Sequence, residues 1–310
     1  MYRFVLSRIV MTFFTMFCVI FFVYALLEFV PGDPATLILG PTALQGGIDM
    51  FNEMHGLDRP FFVRFGSYIW GIITRFDFGL SFRSSLPVVD ELTHRFGITF
   101  NLAWMGTVST LMLGVPLGIL AAVKHSTIVD RSVTIWAIFI AAVPGFWLGL
   151  VMVIFFSVRL GWLPVFGTGS WQHYVLPVAS MAIPGSAGFI RLTRAVMLDT
   201  VHAEYIKTAR AKGCTERVVI WKHAFKNAML PIINGAGLGF SALLGGAILT
   251  ETIFAMPGIG VYTLAALRAN DTPVVMASTI FLSFIFCMVV LAIDLIYAFV
   301  DPRIKAKFSS

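Results

Sequence analysis

Between two apolar stretches long enough to cross a bilayer, about Tyr174–Val196 and Ala228–Phe254, the chain reads EYIKTARAKG from Glu204 to Gly213. Those ten residues hold three bases, one acid and a closing glycine. The rest of the chain is oily: 58% of its 310 residues are hydrophobic and 12% are charged, with a mean hydropathy of +0.88. A soluble domain carries about a quarter of charged residues. The densest charge therefore sits in a loop between membrane segments, and the fold to expect is an all-α polytopic membrane protein.

Working outward from the loop gives six segments of spanning length. Four join the two already named: about Ile9–Val30, closed by PGDP (31–34); Ile98–Val123; Ser132–Phe156, which contains Pro144; and Pro273–Val300, closed by DPR (301–303). The first is too long for the h-region of a signal peptide and no small-residue cleavage site follows it, so it reads as a retained helix. Lys and Arg set the orientation. The N-terminus, residues 124–131, residues 191–227 and the C-terminus hold 15, against 7 in segments 31–97, 157–173 and 255–272, which together are longer. The positive-inside rule makes the first set cytoplasmic. Both termini then lie inside, and the 67-residue segment 31–97 lies outside. The organisation expected is 1–30 for the N-terminus and first helix, 31–97 external, 98–300 a five-helix core with the loop 197–227, and 301–310 a cytoplasmic tail. Within the external segment, PFFVRFGSYIWGIITRF (60–76) is apolar nearly all round, with Pro60 suited to a first helical position. It is expected to lie at the interface or pack on the helices.

Several functions are excluded by pattern. The net charge of +6 is explained by the topology, and no aromatic-plus-basic surface for nucleic acid is present. Cys18, Cys214 and Cys287 make no disulfide framework, and His55, His94, His125, His173, His202 and His223 are scattered without metal-ligand spacing. There is no GxxxxGK[ST], so the chain has no P-loop with which to hydrolyse ATP. GAGLGF (235–240) lacks the third glycine of a dinucleotide fingerprint. Together with GVPLG (114–118) it reads as a close-packing face between helices or as the lining of a path that opens and closes.

Acids at membrane depth cost about 2.5–3.5 kcal/mol at a helix centre. Glu28 and Glu251 fall near the outer ends of their spans, where water is the expected partner. Asp294 is expected to have a structural partner. Arg191 and Arg194, three apart at the inner end of the fourth span, are expected to snorkel to headgroups.

In the loop itself, Glu204–Lys212 has good helix formers and Gly213 stands where a left-handed turn ends a helix. Thr215 suits the cap of a second helix with Glu216 in its first turn. There Val219, Ile220, Ala224 and Phe225 form an apolar face opposite Arg217, Lys222 and Lys226. The result is a helix–turn–helix with a compact tip of small and charged residues, a shape suited to a groove on another protein. Gripping anionic lipid alone accounts less well for the tip.

EYIKTARAKG followed by KHAFKNAMLP (222–231), with the proline 18 residues after Gly213, resembles the cytoplasmic loop signature of permease subunits of ABC importers of the dipeptide/oligopeptide/nickel group. PGDPA (31–35), LDRPFFVRFGSYIWG (57–71), FDFGLSF (76–82), GVPLGILAAVK (114–124), LGWLP (160–164), LTETIF (249–254), MPGIG (256–260) and DPRI (301–304) extend the resemblance in order along nearly the whole chain. It departs at Met256, where a tryptophan is common, and in the short lead into the fourth span at 171–174.

The resemblance implies a chain without enzymatic activity that forms half of a translocation pathway. The other half would be a second, homologous permease. Two cytoplasmic ATPases would bind ATP and Mg, an external substrate-binding protein would deliver solute, and this chain would carry no cofactor of its own. The location implied is the bacterial inner (plasma) membrane. Glu204, Thr208, Ala209, Arg210, Ala211, Lys212 and Gly213 would couple the chain to the ATPases, while the substrate contacts are not identified. Short peptides are the expected cargo. A nickel or other metal chelate, glutathione or an opine is the alternative, and an ion-coupled secondary transporter is the reading from a different class.

Overall fold

The computed structural model describes residues 2–29, 34–40 and 42–300. Its elements are helices, and no strand occurs among the described residues; an isolated bridge joins Leu80 and Pro87. In chain order they are α1 (Tyr2–Glu28), α2 (Pro34–Leu39), α3 (Gln45–His55), α4 (Phe61–Arg75), α5 (Val88–Val123), α6 (Ile128–Ala141), α7 (Gly145–Met152, running on as a π-helical stretch Val153–Arg159) and α8 (Gln172–Val201). The loop follows with α9 (Glu204–Ala211) and α10 (Glu216–Val218). A π-helical stretch Val219–Phe225 leads to α11 (Lys226–Gly246), α12 (Ile248–Ile253), α13 (Ile259–Arg268) and α14 (Thr272–Val300). Of the expected helix-stopping motifs, residues 31–33 and 301–303 lie outside the described residues, as does the tail 301–310.

Among the described residues five helices are long and apolar enough to cross a membrane, and six spans result when the bent pair α6 and α7 is counted as one. The all-α, multi-span expectation holds, with corrections to particular segments. The third span is two helices meeting at 89°. Pro144 caps α7 with ψ 130, an extended geometry that cannot continue α6. By contrast Pro116, Pro177, Pro184 and Pro231 sit inside unbroken helices. α5 starts at Val88 rather than near Ile98: Asp90 and Glu91 lie in its first turn, where the helix dipole favours acids. Pro60 is the cap of α4 rather than its first residue. The second helix of the expected helix–turn–helix is not separate either; from Glu216 it runs without interruption into the fifth span.

The chain folds as two compact units. One is built on Leu6–Thr99 and Pro257–Met288. In it α4 packs on α1 as expected. Phe61 and Phe65 meet Phe17, Phe21 and Tyr24 edge-on at 5.4–6.3 Å, and Phe62 and Trp70 face outward. Such aromatic pairs contribute about 0.5–1.5 kcal/mol each beyond their burial. The core beneath joins Val88 and Leu92 of α5 to Ile259 of α13 and Val274, Ala277 and Ile280 of α14. Asp271, just before α14, is buried; its carboxylate accepts from the Ser81 hydroxyl at 2.5 Å and the Phe82 N–H at 3.1 Å, which anchors the loop before α5.

The other unit is built on Phe100–Met256 and the described residues from Val289 onward. α8 is its axis, packed by α6, α7, α11 and α12. α5 crosses α8 at the glycines of GVPLG. A Cβ on Gly114 would stand 2.6 Å from the Phe189 Cβ, and one on Gly118 would stand 2.8 Å from the Ile190 carbonyl oxygen. In α11, Gly235 and Gly237 lie against Leu192 and Ile293. Gly114 and Gly118 let α5 and α8 approach backbone to backbone, as GVPLG suggested, while Gly235 and Gly237 of GAGLG make room for the side chains of Leu192 and Ile293. Glu251 departs from expectation. Instead of reaching water it is fully buried, and the chain turns sharply after α12: Ala255 takes φ 47 and the Met256 N–H donates to the Glu251 backbone carbonyl at 2.8 Å.

Candidate functional site

α9 is a short helix with two faces. Ile206 and Ala209 are buried, while Glu204, Lys207, Thr208, Arg210 and Ala211 are exposed, as are Lys212 and Gly213 in the turn that follows. Ala209 thus points into this unit's own core, and the other six residues singled out from sequence line the open side.

The turn is closed as a Schellman motif. The Gly213 N–H donates to the Arg210 carbonyl at 2.9 Å and the Cys214 N–H to the Ala209 carbonyl at 3.3 Å. Gly213 supplies the left-handed residue at φ 78. Cys214 packs on the cluster that holds Ala209, which is the apolar contact such motifs carry. Across the open side, Arg210 Nε donates to Glu216 Oε1 at 2.7 Å and Nη2 to Oε2 at 3.3 Å. Both side chains are more than a third exposed, so the pair adds at most about 1 kcal/mol. Its fork geometry braces the turn all the same. Thr215 does occupy the cap position before Glu216, but its side chain makes no capping bond; its carbonyl takes the Val219 N–H at 3.0 Å instead.

The turn rests on a continuous apolar floor. Ile206 and Ala209 join Val219, Ala224 and Ala228 from the following helix, Ile119 and Ala122 from the end of α5, and Met197 from α8. The face read from Val219, Ile220, Ala224 and Phe225 is the one turned inward, and Arg217, Lys222 and Lys226 are exposed. A load on the exposed turn therefore reaches α5, α8 and α11 through packed side chains.

Arg194 is the residue whose role differs most from expectation. It does not snorkel. Its Nε donates to Asp130 Oδ1 at 2.6 Å and its Nη2 to Oδ2 at 2.8 Å. Asp130, buried in the first turn of α6, also accepts the Ser126 N–H at 3.0 Å and lies 3.2 Å from His125 Nδ1. This fork ties the start of α6 to α8 close to the loop. Arg191 is exposed, as expected. The partners are 64 residues apart, and the signal that could have paired them was an acid opening one span and a base closing the next. Asp130→Ala strands the Arg194 guanidinium and is expected to cost about 3 kcal/mol, the low end for a broken buried pair because Arg194 keeps some exposure. Thermal unfolding of the purified protein checks this: Asp130→Ala lowers the midpoint, and Asp130→Ala with Arg194→Met loses less than the two single changes together.

Among the described residues no group of three or more His, Cys, Asp or Glu converges that could hold a metal ion. His173, one of the histidines considered, is engaged locally with Ser170.

A glycine-laced helical unit presenting a braced turn on a packed floor matches a known architecture. The chain belongs to the family of binding-protein-dependent transport system inner membrane components, whose model matches residues 114–306, with the family's N-terminal model matching residues 1–103. It is therefore a permease subunit of an ABC importer, a multi-pass protein of the bacterial inner membrane, of a family that works with ATPase and substrate-binding-protein partners. It is 38% identical over 307 residues to the glutathione transport system permease protein GsiC of Escherichia coli K12, covering 99% of this chain and 100% of that one. The GsiC of Shigella dysenteriae matches to the same extent. Among solved structures, two crystal forms of the inward-facing methionine ABC transporter MetNI share the fold at TM-scores of 0.55 and 0.58, with 18% and 19% identity. Each covers 68% of this chain and 96% of that one.

Proposed function

We propose that this chain forms half of the translocation pathway of an ATP-driven importer of short peptides, and that cytoplasmic ATPases drive it through the turn at Ala209–Gly213. The observation that carries the coupling role is the construction of that turn: rigid at its backbone, open on one side, and seated on the ends of two spans. The distribution of Lys and Arg supports a cytoplasmic loop and an external 31–97 segment. A second permease, two ATPases that bind ATP and Mg, and an external binding protein complete the assembly. Closure of the ATPases favours one arrangement of the permease pair over the other because they contact the two differently, and the solute site opens alternately to each side.

Glutathione, read from the sequence as an alternative to di- and oligopeptides, is the cargo with an observation in its favour, namely the full-length likeness to GsiC. The test is uptake into vesicles holding the transporter with its cognate partners. ATP-dependent accumulation of labelled glutathione or a labelled dipeptide is expected, and only with the binding protein present. Uptake that follows an ion gradient and ignores ATP would overturn the proposal in favour of a secondary transporter.

A further inference from the structure

Between the coupling turn and the fifth span the helix changes its winding. Val219–Phe225 is π-helical, and α11 takes over at Lys226. Burial shows what the wider winding achieves. Val219, Ala224 and Ala228 are all fully buried on the floor beneath the turn. Residues five apart in an α-helix point about 140° away from each other. In a π-helix, bonded i to i+5, they come nearly into line. The π-helical stretch therefore puts Val219 and Ala224 on one face, and the ordinary four-residue step of α11 adds Ala228 to it.

The same stretch is poor in the backbone bonds that stiffen a helix. Where the bonding passes from i–5 to i–4, one carbonyl is skipped and needs another donor. At this join the Asn227 side-chain amide donates to the His223 carbonyl at 2.8 Å. Tyr205 of α9 is within side-chain hydrogen-bonding reach of Asn227, which ties the join to the coupling helix. One turn further on, Pro231 has no N–H to give to the Asn227 carbonyl. Two interruptions thus fall within residues 219–231, between the exposed turn and the body of α11. Helices bend at π-helical turns and at prolines.

We propose that residues 219–231 are a hinge on which the coupling turn swings relative to the fifth span, and that Asn227 is a positioning residue that sets the resting angle of that hinge. The inference rests on the coupling role proposed for the turn. The hinge lets the turn follow a moving partner while the body of α11 keeps its packing on α8, and the Asn227 bond makes the swing carry force instead of flopping.

Stiffening and loosening the hinge have opposite signatures, read as ATP hydrolysis and as solute taken up per ATP in vesicles holding the transporter and its cognate partners. The solute is labelled glutathione or a labelled dipeptide, whichever the vesicles accumulate. Deletion of Lys222, an exposed residue of the π-helical stretch, leaves Val219 and Ala224 four apart, so an unbroken α-helix keeps both on the floor. That helix must break about one hydrogen bond to bend, so hydrolysis and uptake are expected to slow together by about fivefold, with uptake per ATP unchanged. Asn227→Leu removes the bond that holds the hinge; hydrolysis is expected to continue while uptake per ATP falls by about fivefold. In the Lys222-deleted chain, which has no skipped carbonyl, Asn227→Leu is expected to leave uptake per ATP unchanged. A purely structural role would instead lower the amount of folded transporter and leave both rates per folded molecule as they were. That result, or a parental uptake per ATP in Asn227→Leu, overturns the hinge, and the second still decides if the deletion fails to fold. Normal uptake by Ala211→Trp removes the coupling reading and the hinge with it. An inactive Ala211→Trp beside hinge variants that run like the parent removes the hinge alone.

Discussion

Ala211→Trp is expected to abolish ATP-driven uptake while the protein still inserts and folds. Ala211 ends α9 on its exposed side, and the floor beneath the turn is made by Ile206 and Ala209. Ala211 is exposed, so the folding cost expected of an indole there is that of helix propensity, about 0.5 kcal/mol. A partner seated on the turn meets the whole side chain. Interfaces are packed as densely as interiors, so a ring of that size cannot be absorbed without separating the surfaces. Gly213→Asp makes the same point by charge. The space around Gly213 is open to a side chain, and an aspartate held at φ 78 costs roughly 1–2 kcal/mol. Both variants are expected to reach the membrane in normal amounts with uptake at background, the unfolding midpoint near that of the parent for Ala211→Trp and a few degrees lower for Gly213→Asp. Normal uptake by Ala211→Trp would mean that no partner sits on this turn.

Gly118→Leu is expected to act at the other extreme, through the fold. A Cβ there would stand 2.6 Å from the Thr193 Cβ and 2.8 Å from the Ile190 carbonyl oxygen. Neither is the end of a flexible side chain, so α5 and α8 must move apart. Even one added methyl in so tight a crossing costs about 1–3 kcal/mol, and an isobutyl group exceeds what the crossing can absorb. Because α5 and α8 also form the floor of the turn, their separation loosens the coupling element as well. Little folded protein is expected after extraction in mild detergent, and degradation of the rest. Gly188→Ala is the control. It lies in α8 with nothing within 4 Å of its added Cβ, and the change is expected to stabilise by about 0.5–1 kcal/mol. Comparable yields from Gly118→Leu and Gly188→Ala would show that the crossing is not tight.

Much of this was legible in the sequence because the membrane simplifies the reading. Long apolar runs must be helices, and Gly213 after a run of helix formers can end a helix in one main way. The alternation of Val219, Ile220, Ala224 and Phe225 with Arg217, Lys222 and Lys226 gave the inward face correctly. What escaped depends on pairings distant in sequence. Pro144 and Pro184 look alike as prolines in spans, yet one breaks its helix by 89° and the other does not. A proline removes one hydrogen bond; whether the helix then turns depends on packing, and here α6 and α7 each find a place on α8. Asp130 and Arg194 read singly as a helix-start acid and a snorkelling base, and only the approach of α6 to α8 makes them a pair. Glu251 looked solvated because it falls near the end of a span, yet its side chain is fully buried, which depends on packing that the local sequence does not carry.

The central claim is that Ala209–Gly213 touches a separate motor. Lys212→Cys, in a background with Cys18, Cys214 and Cys287 replaced by serine, places a single thiol on the exposed turn. Short-reach crosslinking in membranes containing the whole transporter is predicted to join this position to an ATPase subunit, with a yield that changes when ATP is added. Crosslinks to phospholipid alone, in membranes that still transport, would contradict the account.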